Sequence, residues 1–249
     1  MENSDLINAN RKYYRLHAEN YDSIEQPFVY QRIFIEKILA VLRSTSNTKR
    51  LLDFGAGTGS STQALAASFP AAELTGLDVS PEMLEIANRK CPSAVFTLYD
   101  GVNIPYMDAR FDGILVSSAL HHIYNYKHAL EELSRVTADD GWILITQEPN
   151  PIVNRKINKI RKFFRQNFPD LLLQAEGYQF SEEGGIPPKR IMDVLTTRGF
   201  SCRLVYNNDA LLDSLLHKHK VLFQCLKPAA YFRSRHLCIS YNVIARRNR

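Results

Sequence analysis

Cysteine is scarce in this chain, with four residues (Cys91, Cys202, Cys225 and Cys238) among 249. No C-x-x-C pair and no zinc-type spacing joins them. That excludes a disulfide scaffold or a zinc ribbon and points to a reduced, cytoplasmic setting. Long apolar runs are missing too, and none approaches the ~20 residues that a membrane-spanning helix needs. The start, Met1-Glu2-Asn3-Ser4-Asp5, is polar and acidic, so no secretory leader is expected. Internal repeats and low-complexity stretches are absent. What remains is an ordinary globular composition, 45% hydrophobic and 23% charged. Its length suits one α/β domain carrying an insertion.

The formal charge is +5, from 31 Lys plus Arg against 26 Asp plus Glu. Much of the excess is local. Arg155, Lys156, Lys159, Arg161, Lys162 and Arg165 share one stretch, and Arg246, Arg247 and Arg249 form the tail. An anionic partner (nucleic acid, an acidic membrane surface or an acidic substrate) would use such clusters. A solvated helix face and a frayed terminus are the plainer reading.

Along the chain, a tyrosine-rich stretch over Asn10–Asp22 reads as a short helix. Apolar residues at helical spacing predict another over Phe28–Arg43. An alternation then begins. Strands are expected over Arg50–Phe54, Glu73–Val79, Ala94–Leu98, Phe111–Ser117 and Trp142–Thr146. Helices are expected over Ser60–Phe69, Pro81–Lys90 and Lys127–Val136, with Ser80 as an N-cap and Asp139-Asp140-Gly141 as a turn. Strands separated by helices imply right-handed βαβ units and a parallel sheet. Past Pro149 the rhythm changes. Pro151–Asn167 reads as a basic helix, Leu171–Gly185 as a loop, and Pro188–Arg198 as a helix closed by Gly199. Ser201–Tyr206 and His236–Ala245 have strand composition, and Ala210–Phe232 between them starts as a helix.

The most informative segment is Leu51-Leu52-Asp53-Phe54-Gly55-Ala56-Gly57-Thr58-Gly59. An apolar strand runs into three glycines and then a helix, at the carboxyl end of the first strand, where open α/β sheets place their ligands. A generic strand-to-helix turn would show the same glycines, so their neighbours carry the weight. Asp78 ends the second strand about twenty residues on, where a carboxylate accepts from ribose hydroxyls. Val79, Ser80, Pro81 and Met83 open the following helix, with Met83 set to pack on a ligand. Tyr99-Asp100-Gly101 ends the third strand, where a carboxylate suits a purine amine. Each acid alone is more often a cap or a surface turn. In this order they outline a nucleoside site. Ser60 stands where a dinucleotide-binding G-x-G-x-x-G wants glycine, and no lysine follows Gly59 as a P-loop requires. A nucleoside without pyrophosphate and with a positive end fits best.

From Tyr13 to Glu148 the chain resembles the class I S-adenosylmethionine-dependent methyltransferases, within the broad group that includes ubiquinone- and menaquinone-biosynthesis enzymes and many small-molecule methyltransferases. The strongest parts are Leu51–Gly59, Leu77–Met83 and Phe111-Asp112-Gly113-Ile114-Leu115-Val116-Ser117-Ser118-Ala119-Leu120-His121-His122. The resemblance implies a Rossmann-like, doubly wound, mostly parallel seven-stranded sheet with an antiparallel last strand. N-terminal helices (1–45) would cap a cofactor-binding core (46–149), a helical lid insertion (150–232) would follow strand five, and the last strand and basic tail (233–249) would close one domain. It implies S-adenosylmethionine as cofactor and S-adenosylhomocysteine as product. Asp53, Gly55, Ala56, Gly57 and Gly59 would surround the methionine part, and Asp78, Val79 and Met83 the ribose side. Asp100 and Gly101 would meet the adenine, and Ser117 the amino group. Tyr13 and Tyr21 would fold over the cofactor, though ordinary helix packing accounts for them equally.

A neutral nucleophile must shed a proton, and histidine suits that near neutral pH. His121 and His122, after the fourth strand, are the candidates, with capping or plain loop residence as the bland alternative. Glu148 is a weaker candidate at the end of strand five. No metal is expected, because Ala119 and Leu120 offer no local carboxylate. Aromatic residues of the insertion, including Phe163, Phe168, Tyr178 and Phe180, would line a site for an apolar, aromatic or anionic small molecule, or form the lid's own core. An RNA-directed enzyme is less favoured, since Ser117-Ser118-Ala119-Leu120 lacks the [DNS]-P-P-[YFW] pattern of exocyclic-amine methylation. A non-catalytic cofactor-binding subunit stays open, and a Rossmann oxidoreductase is disfavoured by Ser60. Oligomeric state and acceptor are not readable.

Overall fold

The computed structural model describes residues 3–24, 29–156, 184–207, 238 and 240–248. Helix α1 covers Asn3–His17, and a 3-10 turn (Ala18–Asn20) leads to α2 (Tyr21–Ile24) and α3 (Val29–Thr45). Then β1 (Arg50–Phe54), α4 (Ser60–Ser68), β2 (Glu73–Asp78), α5 (Pro81–Lys90), β3 (Val95–Leu98) and β4 (Phe111–Ser117) alternate. A 3-10 turn (Leu120–His122), α6 (Tyr126–Val136), β5 (Thr137–Pro149), a helical stretch at 151–156, α7 (Pro188–Thr197), β6 (Phe200–Asn207) and β7 (Ser240–Arg247) complete the described chain.

The seven strands form one sheet in the order β3-β2-β1-β4-β5-β7-β6. Pairings from β3 through β5 are parallel, and β7 lies antiparallel to both β5 and β6. The sheet therefore matches the doubly wound expectation, including its one reversed strand. Its order turns back between β1 and β4, the point at whose carboxyl side open α/β sheets bind their ligands.

Both faces are covered, because each strand alternates. Leu52 and Phe54 of β1 pack with Ile114, Val116, Ile143 and Ile145 on one face. Leu51 packs with Leu115, Trp142 and Leu144 on the other. Fully buried Trp142 donates from Nε1 to Thr48 Oγ1 at 3.0 Å, which satisfies its one polar atom, and its ring stacks on Phe69 with centroids 6.0 Å apart. Ser80 caps α5, accepting from the Met83 N–H, with Pro81 at the first turn. Gly199, at φ +85°, closes α7 as expected of a residue past the last turn.

Several boundaries differ from the sequence reading. The tyrosine-rich helix begins seven residues earlier, at Asn3. Asp139-Asp140-Gly141 forms no separate turn, since β5 runs through it from Thr137. The pairing with β4 shifts between Phe111 and Gly113, leaving residues 138–141 opposite Asp112 alone, and Asp140 within that bulge takes a left-handed backbone at φ +61°. The last strand is described over Ser240–Arg247, and its expected start at His236 lies outside the described residues. The expected loop over Leu171–Gly185, apart from its last two glycines, lies outside the described residues, as do the Ala210–Phe232 segment and the basic stretch beyond Lys156.

Gly113 illustrates how tightly β4 and β5 pack. A Cβ there would fall within the Trp142 ring and 2.7 Å from Leu51 Cδ2, atoms that are themselves buried. Gly113→Ala is expected to destabilise the fold by about 1–3 kcal/mol through overpacking. Urea unfolding measures it, and an unchanged midpoint would mean that this contact can relax freely.

Candidate functional site

The strand β1 delivers the chain to the carboxyl rim of the sheet. Gly55 N–H and Ala56 N–H both donate to the Leu77 carbonyl, at 2.8 and 2.9 Å, so the loop folds across the end of β2. Gly55 sits at φ +77°, and a Cβ on it would lie 2.5 Å from Ala119 Cβ. Here only glycine meets both the backbone and the space requirement. Gly57, at φ +52°, is different, because a Cβ there would meet nothing within 4 Å. Its bare backbone borders open space.

Under the loop lies Asp53, fully buried. Its Oδ2 accepts from Ser61 Oγ at 2.7 Å and Thr62 Oγ1 at 2.6 Å, while Oδ1 has no partner. Burial pushes the carboxyl up to about 6, against those two hydroxyls and with a small push from the charge of Asp78. Asp78, half-buried at the end of β2, accepts from Gly57 N–H and Ser80 N–H, both at 2.9 Å. Burial raises it as well, opposed by these backbone N–H groups. Asp100 is exposed, and its Oδ1 holds the turn through Val102 N–H (2.6 Å) and Asn103 N–H (2.9 Å). The three acids thus end β1, β2 and β3 side by side along one rim.

Helix α1 lies over that rim. Arg11 donates to the Val79 and Tyr99 carbonyls at 2.9 and 3.4 Å, and Asn10 Nδ2 to the His122 carbonyl at 3.2 Å. Asp22 accepts from Thr58 Oγ1 at 2.6 Å and pairs with Lys90, ties that hold its carboxyl below the usual range against the upward push of burial. Met83 is buried with Ala18 and Ile86, and Tyr14 and Tyr21 pack against this cluster. Tyr21 thus faces α5, whereas Tyr13 has its ring 4.6 Å from His17 on its own helix. Ile7 lies against Gly101, with Cδ1 2.6 Å from where a Cβ would stand.

Beyond β4, Ser117 pairs with Thr146, and Ser118 takes a left-handed backbone at φ +52°. His121 is 4% exposed, and its Nδ1 lies 3.1 Å from Glu148 Oε2. Fully buried Glu148 also accepts from Leu120 N–H (3.0 Å) and His121 N–H (3.1 Å). One carboxylate therefore fixes both the loop and the imidazole. His122 is half-buried, its ring 4.1 Å from that of His121 and edge-on to Tyr14 at 6.2 Å. Glu148 drew little weight in the sequence. Its position two residues past the apolar run of β5 and opposite the His-His pair was the available signal. Among the described residues, no three His, Cys, Asp or Glu side chains gather where they could hold a metal, and no helix is long and apolar enough to cross a membrane.

Comparison with known proteins converges on one family. Residues 52–145 match the model described as a methyltransferase domain. The demethylmenaquinone methyltransferase of Thermotoga maritima is 31% identical over 153 residues, covering 59% of this chain and 65% of that protein. The Thermus thermophilus protein of the same name is 30% identical over 166 residues, covering 62% and 76%. Across the curated relatives, the chain spans between 43% and 76% of their length, under two thirds for most. Among solved structures, the plantazolicin methyltransferase BpumL, in complex with a pentazolic desmethyl analogue and SAH, superposes with a TM-score of 0.61 at 18% identity, covering 99% of this chain and 98% of that one. That likeness speaks for the fold.

The buried Asp53 makes a stability prediction. Its folded value near 6 stands above the ordinary 3.8, so the stability it contributes is full below 3.8 and is lost as pH rises through 6. Asp53→Asn keeps an acceptor for Ser61 and Thr62 but cannot ionise. The variant should match the parent near pH 4 and exceed it by about 1–3 kcal/mol near pH 8. Denaturant titrations across that range decide it, and a difference that stays flat with pH would refute the assignment.

Proposed function

Since the chain belongs to the class I S-adenosylmethionine-dependent methyltransferases, we propose that it binds S-adenosylmethionine on the rim formed by Asp53, Asp78 and Asp100 and transfers the methyl group to a small-molecule acceptor. The observation that carries this is Asp53 Oδ1, buried beneath the glycine loop with no partner. A buried carboxylate oxygen left unpaired is costly, and a ligand ammonium is the chemistry that would complete it. The residues present fit the group. Gly57 offers bare backbone beside open space. Asp78, whose oxygens each hold one backbone N–H, keeps lone pairs for ribose hydroxyls. Asp100 keeps Oδ2 for the adenine amine, with the Gly101 N–H near the ring.

When bound, the cofactor supplies a methyl group on positively charged sulfur, already activated for transfer. The chain's own work is alignment, exclusion of water and handling of a proton. Gly55, Ala56 and Gly59 shape the turn, and the Ser117 carbonyl region would share the ammonium. Val79 and Met83 line the ribose side. The α1 cap, with Tyr13 and Tyr21, shields the rim, tied down by Arg11, Asn10 and Asp22.

His121 is the base in this reading. Glu148, accepting from Nδ1–H, selects the tautomer with a lone pair on Nε2, the atom that takes the acceptor's proton. His122 serves as its ring neighbour and as an orienting group. The 150–232 insertion would choose the acceptor, and a cytoplasmic setting belongs to the same reading, supported by the free thiols of Cys91, Cys202 and Cys238. The relatives' names point to quinone-type acceptors, and a neutral ring alcohol is the working substrate class.

Two outcomes test this. Asp78→Ala should weaken S-adenosylhomocysteine binding by about 1–3 kcal/mol, the scale of hydrogen bonds to a charged group; calorimetry showing equal affinity would remove Asp78 from the ribose. His121→Asn should lower turnover at least tenfold, within the range of general-base contributions, and leave S-adenosylhomocysteine affinity within about twofold. Full turnover in that variant, read with radiolabelled methyl donor, would eliminate it as the base.

A further inference from the structure

Gln147 follows the last paired residue of the β4–β5 ladder and directly precedes Glu148. It is 6% exposed, and neither its Nε2 nor its Oε1 has a hydrogen-bond partner. Its backbone is left-handed, at φ +61°, where a side chain is seldom found. The cause is a bulge. The β5–β7 register shifts between Ile145 and Glu148, so Thr146 and Gln147 both stand opposite Asn242. Asn242 Oδ1 accepts from Thr146 Oγ1 at 2.5 Å and from Gln147 N–H at 3.1 Å. The Gln147 backbone is therefore held in place while its amide group is left over.

Its place on the sheet is specific. Ser117 pairs with Thr146, and Ser118 N–H donates to the Thr146 carbonyl at 2.9 Å. Gln147 is one residue past the end of that ladder, on the carboxyl rim. The two left-handed residues Ser118 and Gln147 therefore each follow the last paired residue of the β4–β5 ladder, and Glu148, next along the chain, holds His121. Strain and an unpaired buried amide, both unfavourable, coincide on the half of the rim away from Asp78 and Asp100.

We propose that Gln147 binds the methyl acceptor, and that its amide selects a neutral molecule presenting a hydroxyl together with a carbonyl or second hydroxyl oxygen. A carboxamide offers two donors and one acceptor without charge, which complements such a pair. The buried Glu148 carboxylate beside it repels an anionic acceptor. Held by Gln147, a ring hydroxyl of this kind lies on the strand end that also carries the His121 partner.

This inference rests on the methyltransferase reading, and the test keeps the two apart. Wild type, Gln147→Leu and Gln147→Gly are titrated with S-adenosylhomocysteine, and then, at saturating S-adenosylhomocysteine, with catechol, 1,4-naphthohydroquinone and 4-hydroxybenzoate. Failure of S-adenosylhomocysteine to bind the wild type sinks the methyltransferase reading itself. With that binding intact, at least one neutral probe should bind the wild type and bind both variants about tenfold more weakly, the effect of losing a paired hydrogen bond. The carboxylate probe should bind worst. The Leu variant should unfold at a higher denaturant concentration than the wild type, because it removes an unpaired amide at similar volume. If neither neutral probe binds the wild type, or both variants hold the probes as well as it does, or 4-hydroxybenzoate binds best, the proposal is overturned. A Leu variant of lower stability whose probe affinity equals that of the wild type assigns the amide to the fold instead.

Discussion

The rim is built around two buried carboxylates that, among the described residues, meet no lysine or arginine. Asp53 relies on two hydroxyls and Glu148 on two backbone N–H groups and an imidazole. Taking a carboxylate out of water costs several kcal/mol unless its lone pairs are met. Each acid therefore dictates the structure around it. Asp53 requires hydroxyl side chains in the first turn of α4, which Ser61 and Thr62 provide. Glu148 requires the chain after β4 to turn back on itself, and the Leu120–His122 turn does so. These two solutions lie one on each side of the point where the strand order reverses, between β1 and β4. Asp53 is incompletely met and Glu148 is well met. A ligand gains most by completing the first, whereas the second works as scaffold for the imidazole.

The N-terminal cap follows from the same rim. Strand ends expose carbonyls that no ladder satisfies, and α1 answers with Arg11 and Asn10, which donate to the carbonyls of Val79, Tyr99 and His122. Asp22 closes the arrangement by accepting from Thr58 in the glycine loop. Surface pairs such as Arg89 with Glu19 add little by themselves. The cap is thus held by polar groups belonging to the loops that would surround a cofactor, and its position depends on those loops keeping their shape.

Much of this was legible in the sequence. Apolar runs separated by amphipathic helices pointed to the parallel sheet, and three glycines followed by acids at two further strand ends pointed to the rim that carries Asp53, Asp78 and Asp100. Ser80 and Pro81 marked the start of α5, and the His-His pair marked the turn after β4. Other features could not be read, each for a physical reason. The continuation of β5 through Asp139-Asp140-Gly141 depends on a left-handed Asp140 and a register shift against β4, in a stretch whose residue types signal a turn. The seven additional residues of α1 are mixed, with Leu6, Ile7 and Ala9 too few to show a helical period, and the contact of Ile7 with Gly101 at the rim is not visible in local pattern. That Glu148 faces His121 depends on a bulge that sets Thr146 and Gln147 against one partner residue, which leaves no trace in residue type.

That bulge also bears on how the family's shared part relates to its variable part. The methyltransferase-domain match ends at Ile145, and the β5–β7 register breaks immediately after it. Up to Ile145 the strand is a regular buried ladder, whose constraints any doubly wound sheet would impose. From Thr146 onward the backbone departs from the ladder, and the side chains it presents are Gln147, Glu148 and Asn150, polar groups in buried positions. A sheet built only for packing would fill those positions with apolar residues, at lower cost in desolvation. The domain match thus stops where the ladder breaks and the buried polar residues begin, so the shared model and the regular part of the strand end together.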